Sequence, residues 1–175
     1  MKTNLLYLVI CICLFLNSGC QKSPECWGGD KDKGLIEEFY PLITVPDCIE
    51  AYVQENEHLI IRDSIDLLNI LDSTCNKMYT EGIIDTIEYA EYQSEVYIFF
   101  NNINFDNHSI LGFWTTGKCE VDFVREVLKD EENMKYIYSI KIKECGWCNS
   151  ARIESNLVLI PKIEDNYIVD FKIEN

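Results

Sequence analysis

The densest chemistry in this chain lies in Cys145-Gly146-Trp147-Cys148. Two thiols separated by two residues close a small disulfide ring. With one sulfur exposed and acidified, usually at a helix N-terminus, they exchange disulfides with other proteins. Thiol–disulfide exchange by Cys145 and Cys148 is therefore one functional expectation. The surroundings favour another use. A strand-like run, Lys135 to Lys143, leads into the motif, but Asn149-Ser150-Ala151-Arg152 after it carries no helical pattern of useful length. No strand–helix–strand pattern precedes it either. A staple between two strands is the simpler expectation. Other chemistry has less footing. A zinc site needs a second cysteine or histidine pair at suitable spacing, and His58 and His108 are far apart and near neither cysteine. His108 sits in Asp106-Asn107-His108-Ser109, which reads as a polar turn. There is no G-x-S-x-G elbow and no glycine-rich phosphate loop. No catalytic residue, metal or cofactor is expected, and the protein reads as a non-enzyme. Among the aromatic residues, Phe113, Trp114 and Trp147 are candidates for a binding platform. Aromatic residues spaced by two along a strand, as Tyr136 and Tyr138 are, more often face a core.

The seventh mature cysteine has a separate role. Lys2 gives a positive start, Leu5 to Leu16 form an apolar run, and Asn17-Ser18-Gly19 lead into Cys20. A charged start, a short apolar stretch and small residues before a cysteine make a lipoprotein signal. The run is too short to span a hydrocarbon core, which needs roughly 20 residues. Residues 1–19 are therefore expected to be removed and Cys20 lipidated, placing the protein on a bacterial envelope membrane, facing the periplasm or the cell surface. One departure from the bacterial lipobox is Asn17, where Leu or a similar residue is usual. Export makes disulfides the natural state of the other mature cysteines, Cys26, Cys48, Cys75, Cys119, Cys145 and Cys148. Proximity in sequence suggests Cys26 with Cys48, and strand adjacency suggests Cys119 with the Cys145/Cys148 turn.

The elements that must position these residues divide along the chain. Residues 20–34, after the lipidated cysteine, hold a proline, three glycines and mixed charge with no apolar period, and read as a flexible tether. Asp30 and Asp32 lie within it without the rest of a calcium-loop pattern. Asp47 and Glu50 fit a capping box for a short helix over 48–55 burying Ile49, Tyr52 and Val53. Ile60 and Ile61 suggest a short strand. Asp63 or Ser64 then caps a second helix to about Ser73, with Ile65, Leu68 and Leu71 along one side and Cys75 one turn on. Strands are expected over 94–100, 109–116, 121–129, 135–143, 157–160 and 167–173. Alternation is clearest where Tyr136, Tyr138, Ile140 and Ile142 share one face, and again at Tyr167, Val169, Phe171 and Ile173. Helices followed by strands predict one α+β domain over 35–175, two short N-terminal helices packed on an antiparallel β-meander, stapled by disulfides.

Charge narrows the partners. The chain carries 30 acidic against 15 basic residues, a net charge of −15. Loss of the signal removes only Lys2, giving −16 for the mature chain. Such a surface repels phosphate backbones, so nucleic acid is not an expected partner.

From Ile103 onward the chain resembles small exported lipoproteins of unknown function from gut-type Gram-negative anaerobes. The resemblance rests on Ile103-Asn104-Phe105, Ser109-Ile110-Leu111-Gly112, Cys119, the Tyr136–Lys143 run, the Cys145/Cys148 turn, Leu157-Val158-Leu159-Ile160-Pro161-Lys162 and Val169-Asp170-Phe171. It covers roughly the C-terminal 70 residues and brings no catalytic residues with it. A looser likeness, to the accessory-subunit domain of a bacterial protease complex, implies a protein-binding role. The same organisms attach O-linked glycans at Asp-Ser/Thr followed by a small or aliphatic residue. Ser64, Ser73 and Thr86 stand in such contexts. The leading expectation is an envelope lipoprotein that binds a protein or a surface glycan. Disulfide exchange, and inhibition or assistance of an envelope protease, are the alternatives.

Overall fold

Residues 26–40, 47–118, 120–145 and 151–174 are described by the computed structural model. Continuous apolar runs and alternating ones sort its strands into two kinds of sheet. Four antiparallel strands form the middle sheet, in the order β2 (Glu38–Tyr40), β9 (Leu157–Pro161), β4 (His108–Phe113), β3 (His58–Ile61). Its strands are apolar at nearly every position because both faces are covered. Leu59, Ile61, Ile110 and Leu157 face a helical layer, while Leu111, Phe113, Val158 and Ile160 face a second sheet. That outer sheet has the order β1 (Lys31–Gly34), β6 (Val121–Asp130), β7 (Lys135–Glu144), β10 (Ile168–Glu174). It buries one face only, through Phe123, Val127, Tyr136, Tyr138 and Ile140. The alternation expected in β7 is therefore observed. In β10, Val169 and Phe171 pack inward with the preceding Tyr167, but Ile173 is half exposed at the sheet edge.

The connectivity is not a meander. β5 (Thr115–Lys118) pairs with β8 (Ala151–Glu154), extending the β4–β9 pair, and the β6–β7 hairpin is inserted between them. This inner hairpin carries the outer sheet, while β4 and β9 lie in the middle one. The edges of the outer sheet are then added in parallel, β1 on β6 and β10 on β7. The single strand expected over 109–116 is broken at Trp114, whose backbone N–H donates to Glu57 O (2.9 Å).

Helices cover the remaining face of the middle sheet. α1 (Asp47–Asn56) buries Cys48, Ile49 and Val53. α2 (Ser64–Ile70) starts where Asp63 Oδ1 accepts from Ile65 N (2.8 Å) and Asp66 N (2.9 Å). Its buried face is Leu67 and Ile70. Ile65 and Leu68, expected inside, are exposed. A π-helical turn, Leu71–Cys75, then rotates the chain so that Thr74 and Cys75 both reach the interior before α3 (Asn76–Thr80). The largest correction concerns 94–100, which lie in α4 (Thr86–Asn101), not in a strand. A reciprocal capping box starts this helix. Asp85 Oδ1 accepts from Ile87 N (2.7 Å) and Glu88 N (2.9 Å), while Asp85 N donates to Glu88 Oε2 (3.0 Å). Ala90, Glu91, Gln93 and Glu95 then propagate it, overriding the β-branched and aromatic residues that follow.

The N-terminal segment is also corrected. Residues 31–34, expected as tether, are β1, and the lead-in from Cys26 is bonded to the domain. Arg125, fully buried on β6, donates to Asp30 Oδ2 (2.9 Å), Asp32 Oδ1 (3.0 Å) and Asn156 Oδ1 (2.8 Å), with Phe39 stacked 3.5 Å from its guanidinium. Asp30 Oδ1 also accepts from Phe123 N (2.9 Å). Gly34 ends the strand at φ +69, where a Cβ would collide with the Val127 carbonyl. Asn156, in the left-handed region that asparagine tolerates, donates to Thr115 Oγ1 (2.6 Å) and accepts from the Tyr138 hydroxyl at its own carbonyl (2.8 Å). Burial holds the Tyr138 hydroxyl in its neutral form, far above the usual tyrosine range.

Candidate functional site

Cys145 follows β7 at the base of the expected redox motif. Its sulfur is buried and bonded to Cys26 (Cα–Cα 5.3 Å), and its backbone N–H donates to Glu120 O (2.8 Å). The second disulfide joins Cys48 of α1 to Cys75 at the end of the π turn (Cα–Cα 5.2 Å). These two bonds replace the expected Cys26–Cys48 pairing and take Cys145 away from Cys119. Cys20, Cys119, Trp147 and Cys148 lie outside the described residues. A buried sulfur engaged with Cys26 is not the exposed, acidified thiol that exchange requires. Asp122 lies beside this bridge, its carboxylate and the two sulfurs within 4.8 Å of one another, and Gly29 N donates to it (3.2 Å). With both sulfurs joined, that grouping is a disulfide and a paired carboxylate, not three ready ligands.

The expected aromatic platform is not formed by the described residues. Phe113 lies between the sheets, edge-on to Tyr138 and Phe171 at ring-centroid distances of 6.2 and 5.3 Å. Trp114 is half-buried against the helical core. His108 bonds Glu37 Oε2 through Nε2 (2.9 Å), and His58 packs against Phe171 (4.9 Å). Neither histidine belongs to a nucleophilic triad. Ser64, Ser73 and Thr86 are all exposed. Ser64 and Thr86 are the first residues of α2 and α4, and Ser73 Oγ donates to Ile70 O (3.0 Å).

What the helical layer does build is a groove of about 710 Å³ between α2 and α4. The two capping arrangements at Asp63 and Asp85 fix where its walls begin. Its deep side holds Leu67, Val96 and the Cys75 sulfur, with Ile103 and Phe105 at one end. Its rim is Ser64, Leu68, Gln93, Ser94, Tyr97 and Asn101. Tyr89 stacks on Tyr79 of α3 at 4.7 Å and accepts a hydrogen bond at its hydroxyl from Gln93 Nε2 (2.9 Å), which ties the α4 wall to α3. None of the described residues lining the groove carries a charge. Leu68 is 58% and Tyr97 69% exposed, and Ile65, Ile87 and Ile98 are exposed on the same two helices. Exposed apolar side chains gathered at a cleft, as Leu68 and Tyr97 are, mark an interaction site more often than a solvated one. The volume falls within the range of ligand-binding clefts.

Sequence reasoning missed this groove because it depends on α4 being a helix. The available signal was the Asp85-Thr86-Ile87-Glu88 capping box, followed by the helix formers Ala90, Glu91, Gln93 and Glu95. No helix among the described residues is long and apolar enough to cross a membrane. No family model, curated protein or solved structure matches this chain.

Proposed function

We propose that this protein is a non-enzymatic cell-envelope lipoprotein, anchored through lipid on Cys20, that binds an envelope protein partner in the α2–α4 groove. The observation carrying the binding role is a groove whose described lining residues are all uncharged, with exposed Leu68 and Tyr97, in a chain of net charge −15. On so acidic a molecule, a cleft with no carboxylate among its described lining residues admits an apolar segment that the rest of the surface would not hold. The Tyr and amide side chains on the rim supply hydrogen bonds that orient such a segment. The export signal and the two disulfides support the envelope as its place of work.

A photo-crosslinking amino acid placed at Tyr97, in protein made in its own envelope, tests this. One dominant protein adduct, lost when Leu68→Glu is added, is the expected result. Adducts to a protease would identify the partner as one, in line with an accessory role. Carbohydrate adducts would replace the protein partner with a glycan. A Tyr97 probe that reacts no better than one at Lys77 overturns the groove as the binding site. The exchange alternative is tested separately, since it requires Cys145 to be released from Cys26 by mild reductant.

A further inference from the structure

The outer face of the outer sheet has a composition unlike the rest of the chain. Strand registers place Lys31 beside Val124 and Val124 beside Lys141, then Lys33 beside Glu126, and Asp122 beside Lys143. All of these are out of phase with the buried Phe123, Arg125, Val127 and Ile140. Lys135 and Lys172 continue the same face. Six lysines thus share it with the carboxylates of Glu126, Asp130, Asp170 and Glu174 and the buried Asp122. Asp170 pairs with Lys172 (3.5 Å) and Lys135 (3.8 Å). Lys31, Lys33, Lys141 and Lys143 form no ion pair among the described residues. The Trp27 ring lies 5.9 Å from Lys141 Nζ and 5.5 Å from Lys143 Nζ. Ile168 and Leu128 are exposed on this face as well.

We infer that this face lies against the headgroups of an anionic bilayer. The inference rests on the proposal that Cys20 carries lipid. Cys26 is bonded beside the end of β7, where this face begins. The six residues from Cys20 to Cys26 span at most about 20 Å when extended. An anchored domain is therefore held close to the membrane at this end. Lysines with apolar stems around an indole ring suit the headgroup region, where ammonium groups meet lipid phosphates and tryptophan is enriched. The net negative charge elsewhere disfavours every other orientation on such a surface. In this pose the α2–α4 groove, on the opposite side of the sandwich, opens away from the bilayer.

Lysine footprinting of the full mature protein, isolated with its N-terminal modification, tests the pose. The protein is reconstituted with phosphatidylcholine vesicles, with or without phosphatidylglycerol, and acetylation rates are read by peptide mass. Lys31, Lys33, Lys141 and Lys143 should react about fivefold more slowly when phosphatidylglycerol is present, with Lys77 and Lys129 unchanged. High salt should remove the protection, as should Lys141→Ser with Lys143→Ser at the two remaining positions. Equal rates in both vesicles overturn the inference. Flotation with phosphatidylcholine alone reports the lipid independently. A chain that fails to float there lacks the anchor, and its flotation with phosphatidylglycerol vesicles then decides whether the basic face stands or falls.

Discussion

Arg125 is the side chain on which the N-terminal arm depends. A buried guanidinium is tolerated only when its donors are met, and here Asp30, Asp32 and Asn156 meet them. Removing it by Arg125→Ala leaves Asn156 Oδ1 without its donor and Phe39 without its stacking partner. A loss of about 3–5 kcal/mol is expected by urea denaturation. Asp30→Asn keeps a neutral acceptor at a partly exposed site and should cost about 1 kcal/mol. Nothing in the local sequence marks Asp30 and Asp32 for this role, because their partner lies more than ninety residues away. A second residue-scale expectation concerns pH. Hydrogen bonds from Lys129 and Tyr136 pull Glu164 down to about 2. Its folded value lies below its unfolded one, so its contribution is present above about pH 4.5 and is lost as pH falls toward 2. Burial and the same hydrogen bond push Tyr136 up to about 12, so its contribution is present below about pH 10 and lost above. The melting temperature measured against pH should lose part of its acid slope in Glu164→Gln, and stay unchanged by that substitution below pH 2.

At the scale of elements, legibility followed how many faces were buried. β6 and β7 bury one face and alternate, and their bounds are close to the expected ones. β1, Lys-Asp-Lys-Gly, has no apolar residue, because its pairing is made by backbone and its only inward anchor is an ion pair. No pattern of hydrophobicity can reveal such a strand. In α2 the expected face was off by a third of a turn. The apolar residues that matched the period, Ile65 and Leu68, are those left exposed beside the groove. This helical layer supports two predictions. Leu68→Glu and Tyr97→Glu should abolish partner binding while changing stability by no more than about 0.5 kcal/mol, since both side chains are largely exposed. Asp85→Ala removes the cap and should cost about 1 kcal/mol. Because α4 lies outside the sheets and leaves Ile87, Tyr97 and Ile98 exposed, its amides should exchange with solvent well before those of β6 and β7.

For the molecule as a whole, the cysteine count and the expected export signal predicted that disulfides would form, but not which. A bond joining residues 119 apart, Cys26 to Cys145, follows from β1 and β6 running in parallel, a pairing local patterns do not carry. The same nesting explains why a two-sheet sandwich was read as a meander: β4, the β6–β7 hairpin and β9 follow in sequence order, yet β4 pairs with β9 in one sheet while the hairpin lies in the other. Cys119 and Cys148, the two other cysteines expected to form disulfides, lie outside the described residues. Non-reducing peptide mapping should recover Cys26–Cys145 and Cys48–Cys75. Replacing Cys26 and Cys145 with serine should cost about 2–5 kcal/mol.

The Cys26–Cys145 bridge also decides how the domain bears a load. Tension arriving along the chain from the N-terminal side passes through the disulfide directly to the end of β7, an interior strand of its sheet. Neither β1 nor the Arg125 clamp lies on that force path. The stretch between the two cysteines is locked against extension, hiding roughly 400 Å of contour length from a pulling experiment. Reduction would shift the whole load to the short parallel pairing of β1 on β6, which would then shear first, and the hidden length would appear in the force trace.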